Sequence, residues 1–533
     1  MRYAASLPAL FALLVGVPAA ASSAVDAGRA LYEKGERGAG EAIRAVGPNG
    51  VMLSGSAAAC VNCHRRSGLG GSEGQSTIRP ITGRHLFSPP EVPERPQAAA
   101  VAAPREPYTR EGFARAVREG VAVDGRELDR LMPRYALEDD EVAALHAYLD
   151  TLGTAPVPGV GAREIHFATI VGPGVDAATR RAMLDVFDAA VRERNAGTRN
   201  EARRRDVGDR MARAYRTWVL HVWELQGAPE TWGRQLAAHY RRQPVFAVLG
   251  GTAGGSWAPV HGFCEQERIP CLFPDVDHPG GEGHYSLYFS KGVALEAEVL
   301  AAHLAESRPS GPIVQVYRDD AIGRLAADAL RGALTRRGID VLDQPAKTPR
   351  GGKGAFWRAV LTGTKPGALV VWDAPETLVL GEKGEPPPAR LDAIYVSASL
   401  GGSAAPALPE RWQGKLRVVS PFVLPGDRDQ HLARLRAWLA ARSMPLAVER
   451  AQANAFFAVS VAGDALAHIG ENITRDYFIE RIEQMAGTPL FPSMYPHLSL
   501  GPGQRFASRG AYILGLPQGP EGPWVPVRNW TVP

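Results

Sequence analysis

Cys60 and Cys63 are separated by two residues and followed at once by His64. That order lets one turn of backbone add two thiols to the vinyl groups of a haem while the imidazole beneath ligates the iron. A zinc half-site, a redox dithiol and a structural disulfide are the competing uses of such a pair. A structural zinc site needs four protein ligands, and the only other cysteines, Cys264 and Cys271, lie far along the chain without Cys-x-x-Cys spacing. A redox dithiol gives no reason for His64. The stretch therefore predicts covalent attachment of one haem c.

Several elements must position that turn. Asp26 caps a helix with Gly28, Leu31 and Tyr32 on one side, and Thr109 with Glu111 opens another whose stripe is Phe113, Ala116 and Val117. Gly120 ends the second helix. A loop then carries Met132-Pro133, and the acidic run Glu138 to Glu141 suits the positive end of a helix whose buried face is Val142, Leu145, Tyr148 and Leu149. The prolines and alanines from Ser88 to Pro107 read as a surface loop. With the glycine of the first helix, Cys60-x-x-Cys63-His64 and Met132-Pro133, residues 22–153 resemble an all-α class I c-type cytochrome. The resemblance implies that first and last helices cross at Gly28, that His64 is the proximal axial ligand and that Met132 is the distal one. His85, in a loop, and His146, expected to face solvent, compete for the sixth position.

Residues 1–21 read as an export signal, with Arg2 as the positive start, Leu7 to Val17 as the apolar run and Ala19-Ala20-Ala21 as the cleavage site. Covalent haem attachment in bacteria also takes place outside the cytoplasm, so both features predict a periplasmic protein. In an oxidising compartment Cys264 and Cys271 are expected to pair as a disulfide across a helix end and the following strand. At 45% hydrophobic and 22% charged residues the chain is globular rather than disordered. A net charge of +4 over 533 residues argues against nucleic acid as a partner, and no later run is apolar and long enough to predict a membrane span.

Residues 154–163, rich in glycine and proline, read as a linker. Beyond it, over residues 164–533, short apolar strands alternate with helices: Ile165 to Ile170, Val245 to Leu249, Pro312 to Tyr317, Ala368 to Trp372 and Ala393 to Ser397. This predicts parallel α/β sheets, and the unit occurs twice, as two lobes would. The segments Phe246 to Ser256, Ile269 to Pro274, Val314 to Asp320 and Gln452 to Phe457 resemble those of type I periplasmic solute-binding proteins, the branched-chain amino-acid binding group in particular. That resemblance implies a ligand site between the lobes at the carboxyl ends of strands, where open α/β sheets generally bind. Thr252 and Ser256, near a helix start, then offer backbone donors, and Asp275, Asp277, Tyr317 and Asp373 stand at other strand ends. Asp275 and Asp277 replace the small hydroxylated residues of that family; ionised, they repel a carboxylate and favour a cationic or hydroxylated ligand. His261, His278 and His284 show no metal-ligand spacing.

Over residues 164–533 there is no Walker loop, G-x-S-x-G or nucleophile-base set that would make this part an enzyme, so electron transfer or binding is expected rather than catalysis. The expected role is single-electron exchange with a periplasmic redox partner, a dehydrogenase (a quinoprotein being one form) or another cytochrome. The solute-binding-like part would then dock that partner or bind a small polar ligand. The alternatives are the capture component of a transport system, or a ligand sensor, carrying an accessory haem.

Overall fold

The structure, a computed structural model, describes residues 19–73, 76–89, 106–204, 216–346, 352–381, 384–401, 408–470, 472–485, 492–516 and 524–533. The expected export signal lies almost wholly outside them. The chain divides into two compact units, Met1–Pro156 and Val157–Pro533.

In the first unit the helices Ala19–Lys34 and Asp139–Thr151 pack at close quarters because Gly28 has no side chain. A Cβ built there would lie 2.0 Å from the carbonyl oxygen of Ala144. Beside the crossing, the rings of Tyr32 and Tyr148 stand 5.4 Å apart, both buried. The Thr109 hydroxyl accepts from Gly112 N–H at 3.1 Å to start the helix Arg110–Glu119, and Gly120, at φ 73°, ends it in the left-handed region. Its Phe113, Ala116 and Val117 join Val142, Leu145, Tyr148 and Leu149 in one core.

This unit is not all-α, contrary to expectation. Strands β1 (Arg44–Val46) and β2 (Met52–Ser54) form an antiparallel hairpin, β3 (Gly71–Glu73) pairs with β4 (Ser76–Ile78), and β5 (Arg134–Tyr135) joins β1. The reason is local. Pro48-Asn49-Gly50 makes a tight turn with Asn49 and Gly50 at positive φ, and Ala45 between two exposed neighbours gives β1 the alternation of a half-buried strand.

The second unit is built on two sheets. The first contains β6 (Glu164–Val171), β7 (Thr217–Glu224), β8 (Ala247–Leu249), β9 (Cys271–Leu272) and β10 (Ser286–Leu287), in the order β10-β9-β8-β6-β7, all parallel. The second contains β11 (Ile313–Tyr317), β12 (Val341–Pro345), β13 (Ala368–Trp372), β14 (Ala393–Ser397), β15 (Leu416–Ser420), β16 (Ala511–Gly515) and β17 (Val525–Thr531), in the order β12-β11-β13-β14-β15-β16-β17. Its first five strands are parallel, as expected of this half, but β16 and β17 return antiparallel and make the sheet mixed. Strands β8, β13 and β14 are buried at every residue, which explains their unbroken apolar sequences.

Helix Glu449–Ile469 packs into the core of the first sheet although it lies in the chain between β15 and β16 of the second, so the chain crosses between the lobes. Cys264 at the end of helix Ala258–Gln266 and Cys271 at the start of β9 form a disulfide, Cα to Cα 6.3 Å. The segment expected to be a linker is shorter than 154–163. Val157 and Val160 pack on the core of the second unit, and Gly159 lies against Val245 and Phe246 so closely that a Cβ would meet backbone at 2.1 Å.

Candidate functional site

In the first unit the Cys-x-x-Cys-His turn is a single helical turn, Val61–His64, held from below. The Tyr32 hydroxyl donates to the carbonyl of Arg65 at 2.5 Å, tying the turn to the crossing helices. Nδ1 of His64 stands 3.1 Å from the carbonyl oxygen of Arg79. A carbonyl can only accept, so Nδ1 carries the proton and Nε2 keeps its lone pair. Burial lowers the pKa of His64, opposed by the Arg79 carbonyl, so the ring is neutral at pH 7. That is the state and tautomer an iron ligand needs. Cys60 is half-buried and Cys63 exposed. Burial pushes the Cys60 thiol up to about 11, against a hydrogen bond from Tyr135.

Met132 and Cys60 pack on the same cluster, and the carbonyl of Met132 accepts from Arg134. Of its competitors, His85 is exposed with Nδ1 2.8 Å from the Thr82 hydroxyl. His146 does not face solvent as expected. It is half-buried and stacks on Phe87, ring centroids 3.8 Å apart, with Phe113 at its edge. These residues fit a covalently held haem: two thiols and a correctly tautomerised imidazole on one turn, with a thioether on the adjoining core.

In the second unit the predicted residues gather at the carboxyl ends of strands. Past the last residues of β6, β8 and β9, single bridges set Val171 beside Thr252 and Thr252 beside Asp275. At the other sheet Tyr317 ends β11 beside Trp372 of β13, and Asp373 follows. The backbone donor expected at Thr252 is already used, because its N–H bonds Ile170 at 2.9 Å. Ser256 does not open the following helix, which starts at Ala258; its hydroxyl accepts from Ala258 N–H at 3.3 Å and Trp257 N–H bonds the His278 carbonyl.

Asp275 and Asp277 do not act as a bare pair of acids, contrary to expectation. Arg450, at the start of helix Glu449–Ile469, lies with Nε 2.7 Å from Asp275 and its NH2 group 2.7 Å from Asp277. Asn454, one turn on, donates to Asp275 at 3.1 Å. Burial works against the charge on Arg450, but the two aspartates outweigh it and hold the guanidinium above its ordinary range. Burial raises Asp277 while Arg450 pulls it down; Asp275 raises it further and Arg318, from the end of β11, lowers it. His278, whose pKa burial lowers, is pulled the other way by Asp320. The strand ends of the two lobes therefore face each other through Asp277 and His278 on one side and Arg318 and Asp320 on the other. Arg318 also donates to Asp320 and stands 3.9 Å from Asp373, whose carboxylate accepts from Ala374 N–H.

The profile of the periplasmic binding protein family matches residues 171–519. This chain belongs to the periplasmic binding protein family. Periplasmic binding proteins characteristically work outside the cytoplasm, and their two α/β lobes are those of the second unit. A branched-chain amino-acid transporter protein from Thermus thermophilus, solved with bound valine, is similar with a TM-score of 0.50 and 14% identity over 70% of this chain and 97% of its own. A leucine-binding protein from Thermotoga maritima is similar at 12% identity over 69% of this chain and 99% of its own, TM-score 0.49. A fatty acid transporter substrate-binding protein from Thermomonospora curvata is similar at 17% identity over 70% and 94%, TM-score 0.48. No curated protein matches. At 14% identity the likeness to the Thermus protein carries the fold, not the ligand.

Sequence reasoning about this periplasmic binding protein passed over Arg450, Arg318 and Glu296 as site residues. Arg450 lies 173 residues from Asp277 in the chain, and nothing local to it announces an ion pair. Among the described residues no group of acids, histidines and cysteines could hold a metal ion, and His261 and His284 take separate partners, Tyr288 and Asp476. No described helix is long and apolar enough to cross a membrane.

Proposed function

We propose that this protein captures a small polar solute between the lobes of its second unit, as the substrate-binding component of a transport system, and carries haem c as an accessory group. The observation that carries this reading is the gathering of polar groups at the strand ends of both sheets: Thr252 and Asp275 bridged side by side with Arg450 2.7 Å from Asp275 and Asp277 at the first, and Arg318 3.9 Å from Asp373 at the second. Open α/β sheets bind ligands at such ends, and opposed charges from two lobes suit a site that closes on its ligand. A thermal-shift screen of the full protein against amines, alcohols, amino acids and small acids tests it. The expected result is a shift with one class, lost in the Asp275→Asn/Asp277→Asn protein. No shift with any class would overturn the reading.

A second reading, one-electron exchange with a periplasmic dehydrogenase or another cytochrome, is favoured by the His64 to Arg79 hydrogen bond, which leaves the Nε2 lone pair available to a metal. A bound haem c supplies a one-electron couple. Cys60 and Cys63 would anchor it, His64 and Met132 would ligate it, and Tyr32 and the Arg79 carbonyl hold the turn and the imidazole in place. A denaturing gel stained for haem tests the anchor directly: stain is expected in the wild type and absent in the Cys60→Ala/Cys63→Ala protein. Undiminished stain in that double variant would overturn it.

A further inference from the structure

We propose that Tyr135 is a positioning residue for covalent haem attachment, its hydroxyl holding the Cys60 sulfur in place for the bond that Cys60 forms. This rests on haem attachment, which both readings above share, and goes beyond them in giving Tyr135 a task. The first observation is where the backbone puts the ring. β5 pairs with β1 so that Tyr135 stands opposite Ala45, both buried, while Arg44 and Val46 on either side of Ala45 are exposed. The alternation of the strand thus turns Tyr135 into the core on which Cys60 packs. There the Tyr135 hydroxyl and the Cys60 thiol are hydrogen-bonded to each other. The strand itself is fixed, because Arg134 donates to the carbonyl of Leu128 at 3.3 Å and to that of Met132.

The second observation is that the two cysteines differ. Cys60 is half-buried and bonded to Tyr135, whereas Cys63 is exposed and touches Tyr135 only through its charge. The sense of the bond follows from burial, which raises the Tyr135 phenol far above its ordinary range, so the hydroxyl keeps its proton and donates while the sulfur accepts. A thiolate sulfur accepts more strongly than a thiol, so the same donor favours the form that attacks. In the attachment step the Cys60 S–H bond is lost and an S–C bond forms to one carbon of a haem vinyl group. The hydrogen ends on the other vinyl carbon and the double bond becomes single, so neither oxidant nor reductant is consumed. The thioether sulfur remains a weak acceptor, and the Tyr135 hydroxyl keeps its partner afterwards.

The test is a map of free thiols, residue by residue, in the full protein produced in cells that attach haem: the chain is denatured, alkylated with iodoacetamide and digested, and fragment masses place the label. In the wild type both cysteines are expected to be protected. Tyr135→Phe removes the hydroxyl and keeps the ring. It is expected to leave Cys60 alkylated roughly fivefold more than Cys63, the factor that one net hydrogen bond commands. The α band of its reduced pyridine complex is expected to move to the red, because one vinyl group stays unsaturated. Phe113→Leu, which disturbs the same core without removing the hydroxyl, is expected to leave the two cysteines alkylated alike. Equal alkylation of Cys60 and Cys63 in Tyr135→Phe, or none beyond the wild type, would overturn the positioning role and leave haem attachment standing. A wild type without haem and with both cysteines alkylated would overturn haem attachment itself, and the role of Tyr135 with it.

Discussion

Single residues at this site carry energies large enough to measure. Arg450 neutralises two partly buried carboxylates, so Arg450→Ala strands both and is expected to cost about 3 kcal/mol in urea unfolding. Glu296 sets a pH dependence. Burial raises its carboxyl from 4.5 to about 8 against the pull of the Ser397 and Ser399 hydroxyls, with Asp277 adding to the rise. The folded state thus binds a proton that the unfolded state releases, and this contribution to stability is full below pH 4.5 and lost as pH rises through 8. Urea melts from pH 5 to pH 8 are expected to show stability falling in the wild type and a flatter profile in Glu296→Gln. A steeper fall in the variant would contradict the assignment. Of these residues the aspartates were visible in the sequence as polar residues ending strands, whereas Arg450 and Glu296 were not. A helix-start arginine and a mid-helix glutamate look like solvated charges until the fold buries them.

At the scale of elements, two contacts set local geometry. The crossing of helices Ala19–Lys34 and Asp139–Thr151 depends on Gly28, and any side chain there meets the Ala144 carbonyl. Gly28→Val is expected to destabilise the first unit by about 2 kcal/mol, read as an earlier loss of helical signal in thermal melts of the full chain. The disulfide closes a short loop between helix Ala258–Gln266 and β9, the strand that leads to Asp275 and Asp277. For a loop of this size, Cys264→Ser/Cys271→Ser is expected to lose roughly 2 kcal/mol in urea unfolding. The crossing was expected from the cytochrome resemblance, which places a glycine there, and the disulfide from two cysteines in a chain expected to be exported. The strands of the first unit were missed because three-residue segments have too short a period to stand out. The antiparallel β16 and β17 were missed because β16 finds its partner β15 about a hundred residues earlier in the chain, and β17 joins the sheet only through β16.

For the whole molecule, export and haem loading are expected to change the mass together. Intact mass of the protein produced with its export signal is expected to show loss of residues 1–21 and gain of one haem. Either change without the other would separate the two halves of that expectation. Sequence alone determined what depends on covalent spacing and periodicity: the Cys60-x-x-Cys63-His64 turn and the alternation that makes α/β lobes. Those are properties of near neighbours, and near neighbours are what a chain writes down directly. Tertiary structure decided which charges meet. Asp275 and Asp277 are acids by sequence, but their field is set by Arg450 from another crossing of the lobes and by Arg318 from the opposite sheet. Coulomb energy depends on distance and burial, and only the fold fixes either one.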